Sequence, residues 1–129
     1  MRNRKTIILA IAGMLYCISA MVSCTHEPQV ISRSYSFKGD ILPILETSCA
    51  LNGDCHFGAN NGNAQISFDS GVAYSTIIAK HLVSTGSPTA SLLYVEVSTG
   101  IMPKAPYSAL SGLQIETILN WIKQGAQNN

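Results

Sequence analysis

Cys55 is followed directly by His56, a second cysteine, Cys49, stands six residues upstream, and Met102-Pro103 lies far along the chain. Two thiols and an adjacent imidazole can clamp a haem covalently. The thiols add to two vinyl groups, and the histidine after the second cysteine reaches the iron from the same side. A thioether from a distant segment can close the opposite face, giving the His/Met ligation that raises the potential of an electron-carrying iron. The spacing is Cys-x5-Cys-His rather than Cys-x2-Cys-His. Two intervening residues keep both thiols and the imidazole within about one and a half helical turns. Five residues, Ala50-Leu51-Asn52-Gly53-Asp54, must loop outward, and Asn52-Gly53-Asp54 is turn chemistry suited to it.

The longer loop leaves several arrangements open: two thioethers, one through Cys55 alone, or a Cys49–Cys55 disulfide without haem. Zinc on Cys49, Cys55, His56 and His81 is a further one, disfavoured because structural zinc sites separate paired cysteines by two to four residues. His81 itself follows an expected helix and reads as a surface or loop residue. Met102 stands out through its neighbour Pro103, its place before the last helix, and its being the only methionine beyond residue 23. Lys104 is a rival to it only after losing its proton.

The elements that must position these groups read as helices. Asp40-Ile41-Leu42-Pro43-Ile44-Leu45 predicts a short helix running into Cys49, with Asp40 as cap and Pro43 in the first turn. Phe57 to Asn63 is dense in turn formers and predicts a loop. Asp69 is an expected cap for a helix through Ile78. Gly86-Ser87-Pro88 signals another start, leading into Leu92, Leu93, Tyr94 and Val95. Ser98 to Ser108 is again loop and presents Met102. The last helix carries the clearest signals: a capping box of Ser111 and Gln114, and a staple of Leu110 against Ile115. Ile115, Ile118, Leu119 and Ile122 then form a stripe flanked by Trp121, and Gly125 ends the helix. No β-hairpin signal of comparable strength occurs. The pattern predicts a small all-α domain of three to five helices with long loops.

Residues 1–23 read as an address: basic Met1-Arg2-Asn3-Arg4-Lys5, an apolar run from Thr6 to Ala20, then Met21-Val22-Ser23-Cys24. Small Ser23 before Cys24 matches a bacterial lipoprotein signal, with cleavage before Cys24 and lipid on its sulfur. An uncleaved membrane anchor is the alternative, since the apolar run is nearly long enough to span. Either places the remainder outside the cytoplasm, where disulfides survive. Residues 24–36 read as a polar tether containing a solvated His26, and residues 37–129 as the domain. The formal charge of +1 includes Arg2, Arg4 and Lys5; beyond residue 23, five basic residues face seven acidic ones. With no basic run, nucleic acid is not an expected partner. The 47% hydrophobic content is likewise inflated by the signal; with one Trp and three Phe, the aromatic core is thin, and a buried porphyrin would help fill it. No nucleophile–base–orienter set and no phosphate-cradling glycine loop is present, so an enzyme is not expected.

The stretch from Phe37 to Gly125 resembles the c-type cytochrome domains of Planctomycetes and Bacteroidetes. The matching parts are Asp40-Ile41-Leu42-Pro43-Ile44-Leu45, Cys55-His56, Gly86-Ser87-Pro88 with Ser91-Leu92-Leu93-Tyr94, Ile101-Met102-Pro103, and Leu110-Ser111 through Trp121-Ile122-Lys123-Gln124-Gly125-Ala126. The resemblance implies a cytochrome c-like fold wrapped around covalent haem c, with His56 as proximal and Met102 as distal iron ligand. The function expected is that of a monohaem electron carrier, tethered by lipid at Cys24 in the cell envelope, passing electrons between donor and acceptor proteins. Two rivals remain: a haem-free binding or assembly lipoprotein with a Cys49–Cys55 disulfide, and a five-coordinate haem protein for sensing or peroxidase chemistry. The address generates its own test. Cys24→Ser is expected to move the protein from the detergent phase to the aqueous phase on phase partitioning and to remove the lipid from its mass. An unchanged partition would refute lipidation at Cys24.

Overall fold

The computed structural model describes residues 33–51, 55–58 and 66–129. The expected signal 1–23, the lipidation site Cys24, His26 and the turn Asn52-Gly53-Asp54 lie outside the described residues, as does most of the loop after Phe57. The described residues form four α-helices and no strand, the all-α class that the periodicity predicts. None of these helices is long and apolar enough to cross a membrane.

The folded unit begins at Arg33, within the segment expected to be tether. Ser36 is extended (φ −106°, ψ 143°), and its Oγ accepts the Gly39 N–H at 2.9 Å. Asp40 Oδ2 returns to accept the Ser36 N–H at 2.8 Å. Asp40 is therefore the answering half of a reciprocal cap, and Ser36, not Asp40, starts the element. One wide π-helical turn, Phe37–Ile41, leads into α1 (Leu42–Ser48). Pro43 sits in its first turn, where a missing N–H breaks no helical bond.

Helix α2 (Ala73–Ala79) starts from the Asp69 carbonyl, which accepts the N–H groups of Val72 and Ala73; the Asp69 side chain does not cap it. It ends with His81 at φ 52°, while the N–H groups of His81 and Leu82 return to Ile78 and Ile77. This is a Schellman ending with histidine where glycine is usual. Gly86-Ser87-Pro88 opens a 3-10 turn, Pro88–Ala90, rather than an α-helix. Ser91 then breaks to extended backbone, and α3 (Leu92–Ser98) follows. The buried Ser91 Oγ accepts the Ser84 N–H at 2.8 Å, fixing α3 to the preceding loop.

Helix α4 (Gly112–Lys123) has the expected box: Ser111 Oγ accepts the Gln114 N–H and Gln114 Oε1 accepts the Ser111 N–H. Gly125, at φ 101°, closes it with N–H bonds from Gly125 to Ile122 and from Ala126 to Trp121. The buried face is turned from the predicted stripe: Thr117, Ile118, Trp121 and Ile122 are buried, while Ile115 and Leu119 are half-buried. Its ring lies 5.5 Å from Phe37, which meets Tyr74 edge-on at 5.2 Å, and its Nε1 donates to the Gln127 carbonyl at 3.0 Å. Ile41, Leu45, Ile77, Ile118 and Ile122 complete the inaccessible centre. The two ends of the unit are sewn together: Tyr35 N–H donates to Gln124 Oε1, Phe37 N–H to Asn129 Oδ1, and Lys38 N–H to the Asn129 carbonyl. Trp121→Ala is expected to cost about 3–5 kcal/mol in chemical denaturation, as for other large-to-small changes of a buried aromatic. A loss below about 1 kcal/mol would place the core elsewhere.

Candidate functional site

Helix α1 stops where chemistry begins. The Cys49 N–H makes the last helical bond, to the Leu45 carbonyl at 2.8 Å, and Ala50 N–H reaches the same oxygen. The Cys49 carbonyl in turn accepts the His56 N–H at 3.1 Å. That bond ties the two ends of the segment together and keeps Cys49 and His56 adjacent. Cys55 sits at φ 55°, a left-handed backbone that turns the chain sharply into His56.

His56 is oriented from a second segment. Its Nδ1 lies 3.1 Å from the Ile66 carbonyl, its own carbonyl accepts the Phe68 N–H at 2.9 Å, and its ring centroid is 5.0 Å from that of Phe68. A carbonyl can only accept, so Nδ1 carries the proton and Nε2 keeps a bare lone pair, the form a metal needs. Two residues on, the Gly58 N–H donates to Asp69 Oδ2 at 2.9 Å.

A cavity of about 360 Å³ opens beside this turn. Its walls are mostly apolar: Ile66 and Phe68 from the bracing segment, Leu82 after α2, and Leu92, Leu93 and Val97 from α3. Cys49, Cys55 and His56 line it, and so do Met102, Pro103 and Lys104 from the loop after α3. Met102 is anchored there by its N–H, which donates to the Glu96 carbonyl at 3.0 Å. All four residues singled out in the sequence thus border one space.

The donor set suits a porphyrin. One imidazole has its second nitrogen occupied, one thioether comes from a separate segment, two thiols stand by the imidazole, and the walls are hydrocarbon. The volume lies in the range of ~300–1,000 Å³ common for cofactor pockets. Zinc fares worse. His81 is exposed at the end of α2 and does not line the cavity, and among the described residues no group of three or more His, Cys, Asp or Glu is placed to hold a metal ion.

Cys49 is buried and is a free thiol. Burial, with the neighbouring Cys55 adding to it, pushes its pKa from the ordinary 9.0 up to about 11. Two residues of the site escaped the sequence reading. Asp69 has the helix-start signature, but its carboxylate serves the Cys55–Gly58 turn instead. Glu96 looks like a surface residue of α3 yet is half-buried on the cavity wall and supplies the carbonyl that holds Met102. No single-chain signal marks either, because both roles depend on which segment packs alongside.

No family model, no curated protein and no solved structure matches the chain.

The raised Cys49 pKa has a measurable sign. In haem-free protein, Cys49 alkylation at neutral pH should run about a hundredfold slower than for an ordinary thiol, with its rate climbing until pH about 11. Its contribution to stability is intact below pH 9.0 and is lost as pH rises toward about 11, because the unfolded thiol ionises first. Peptide mass mapping of iodoacetamide kinetics checks this, and an alkylation midpoint near 9 would contradict it.

Proposed function

We propose that the domain is a monohaem c-type cytochrome, of the kind resembled in the sequence, that carries single electrons in a bacterial cell envelope. The observation that supports this reading best is the convergence of Cys49, Cys55, His56 and Met102 on one apolar cavity from two separate chain segments. In this reading Cys49 and Cys55 would hold haem c by thioether bonds, and His56 Nε2 and Met102 Sδ would ligate its iron. When bound, the haem supplies a one-electron iron couple.

The chain's own contributions follow from the geometry. The Ile66 carbonyl keeps the proton on His56 Nδ1 and the ring in one orientation, which also makes Nε2 a better donor. The Phe68 ring packs beside the imidazole and limits its tilt. The Glu96 carbonyl tethers the backbone of the loop at Met102, so the side chain starts from a fixed point on the cavity wall. Hydrocarbon from Phe68, Leu82, Leu93 and Val97 excludes water, so little reorganisation accompanies a change of charge in the cavity. A donor and an acceptor protein complete the cycle, and a lipid on Cys24 restricts the encounter to the membrane surface, facing the periplasm or the cell exterior.

The test uses the full chain matured alongside a working haem-attachment system. A pyridine haemochrome spectrum should give one covalent haem per chain; a colourless product with the mass of polypeptide plus lipid would end the proposal and favour the haem-free lipoprotein. His56→Ala should yield no stable holoprotein. Met102→Ala should abolish the far-red absorption of the oxidised form and lower the reduction potential. Unchanged spectrum and potential in that variant would remove Met102 from the iron and favour the five-coordinate alternative.

A further inference from the structure

Asp69 carries a feature that neither a helix cap nor a surface carboxylate requires. Its Oδ1 is buried and has no hydrogen-bond partner among the described residues, a state that costs stability unless something else is gained. Its side chain does not cap α2, which starts from the Asp69 carbonyl alone. What the carboxylate holds is all on Oδ2: the Gly58 N–H at 2.9 Å and the Ser67 Oγ–H at 3.0 Å. Gly58, at φ 78°, is the last residue of the short turn that contains Cys55 and His56.

The bonds that join this turn to the Ile66–Asp69 segment include His56 Nδ1 to the Ile66 carbonyl, Phe68 N–H to the His56 carbonyl, and Gly58 N–H to Asp69 Oδ2. The last involves a carboxylate, and bonds to an ionised acceptor are about twice as strong as neutral ones. It also lies at the far end of the turn from the Cys49 carbonyl, which grips the His56 N–H. A turn held at one end can pivot; held at both, it cannot.

We propose that Asp69 is the positioning residue of His56: its carboxylate clamps the Cys55–Gly58 turn against residues 66–69, so that Nδ1 stays on the Ile66 carbonyl and Nε2 stays bare. The inference deepens the cytochrome reading and rests on it for its purpose, since a bare Nε2 is what an iron would use. The clamp itself belongs to the polypeptide and is measurable without haem.

The experiment is nitrogen NMR of the His56 imidazole in the haem-free full chain, in buffer alkaline enough to keep the ring neutral, with amide exchange of Gly58 recorded alongside. In the unsubstituted protein the proton should reside on Nδ1. Asp69→Ala should raise the Gly58 exchange rate about tenfold or more and shift the tautomer equilibrium by a similar factor toward Nε2–H. Asp69→Asn keeps an oxygen acceptor for Gly58 and should restore most of the Nδ1 preference. If Asp69→Ala does not fold, Ser67→Ala decides, because it removes the hydroxyl that holds Oδ2 beside Gly58 and, by letting the carboxylate turn away, should give a smaller shift of the same sign. Loss of stability with the tautomer unchanged in the Ala variant, or in Ser67→Ala where that variant decides, would overturn the proposal and leave Asp69 a merely structural residue. A proton found mainly on Nε2 in the unsubstituted protein would overturn it as well. Haem attachment, scored separately on the unsubstituted chain, tells a failed clamp from a failed cytochrome reading.

Discussion

A single backbone hydrogen bond, from the His56 N–H to the Cys49 carbonyl, decides whether the cysteines and the imidazole form one site. Six residues lie between donor and acceptor, so the bond closes a loop rather than a helical turn, and the entropy of that closure is offset by structure on both sides. On one side, α1 delivers Cys49 at its last hydrogen bond, backed by the buried Leu45 and Ile41. On the other, Cys55 takes a left-handed backbone that a non-glycine residue adopts only when its neighbours enforce it.

The enforcement comes from residues 66–69, which act as a splint. Ile66 supplies a carbonyl to the ring, Phe68 an N–H and an aromatic face, and Asp69 a carboxylate to Gly58. The splint is rigid because it leads straight into α2, which is rooted in the core by Ala73 and Ile77. Helix α3 forms the facing wall, pinned through Ser91 to the loop at Ser84 and through Leu93 N–H to the Leu82 carbonyl. The thin aromatic core noted in the sequence is concentrated elsewhere, in Phe37, Tyr74 and Trp121, where the two ends of the unit meet. The cavity side is left to aliphatic residues and Phe68, with room for an apolar group between them.

This division of labour accords with the functional reading. One half of the unit is a closed hydrocarbon core with capped helices, and the other is a set of loops held by specific hydrogen bonds around an open space. An electron carrier needs that second half to be preorganised, since movement of ligands with each change of charge slows transfer.

The chain's local chemistry determined the all-α class, the capped final helix with its Gly125 ending, the proline in the first turn of α1, and the four chemically suited residues Cys49, Cys55, His56 and Met102. The helical features are properties of neighbours three or four positions apart, the range over which propensity and capping act, while the four site residues were legible from their side-chain chemistry alone. The sequence misplaced the first cap, set Trp121 at the flank, read Gly86-Ser87-Pro88 as the start of an α-helix, and assigned Asp69 to a helix it does not cap. For three of these the deciding partner lies in another segment or competes locally: Phe37 for Trp121, Gly58 for Asp69, Ser36 for Asp40. Only the tertiary structure decided that Cys49 and His56 meet despite the long spacing and that Met102 borders the same cavity, because both depend on how residues 66–69 and α3 pack, and long-range packing leaves no periodic trace in the chain.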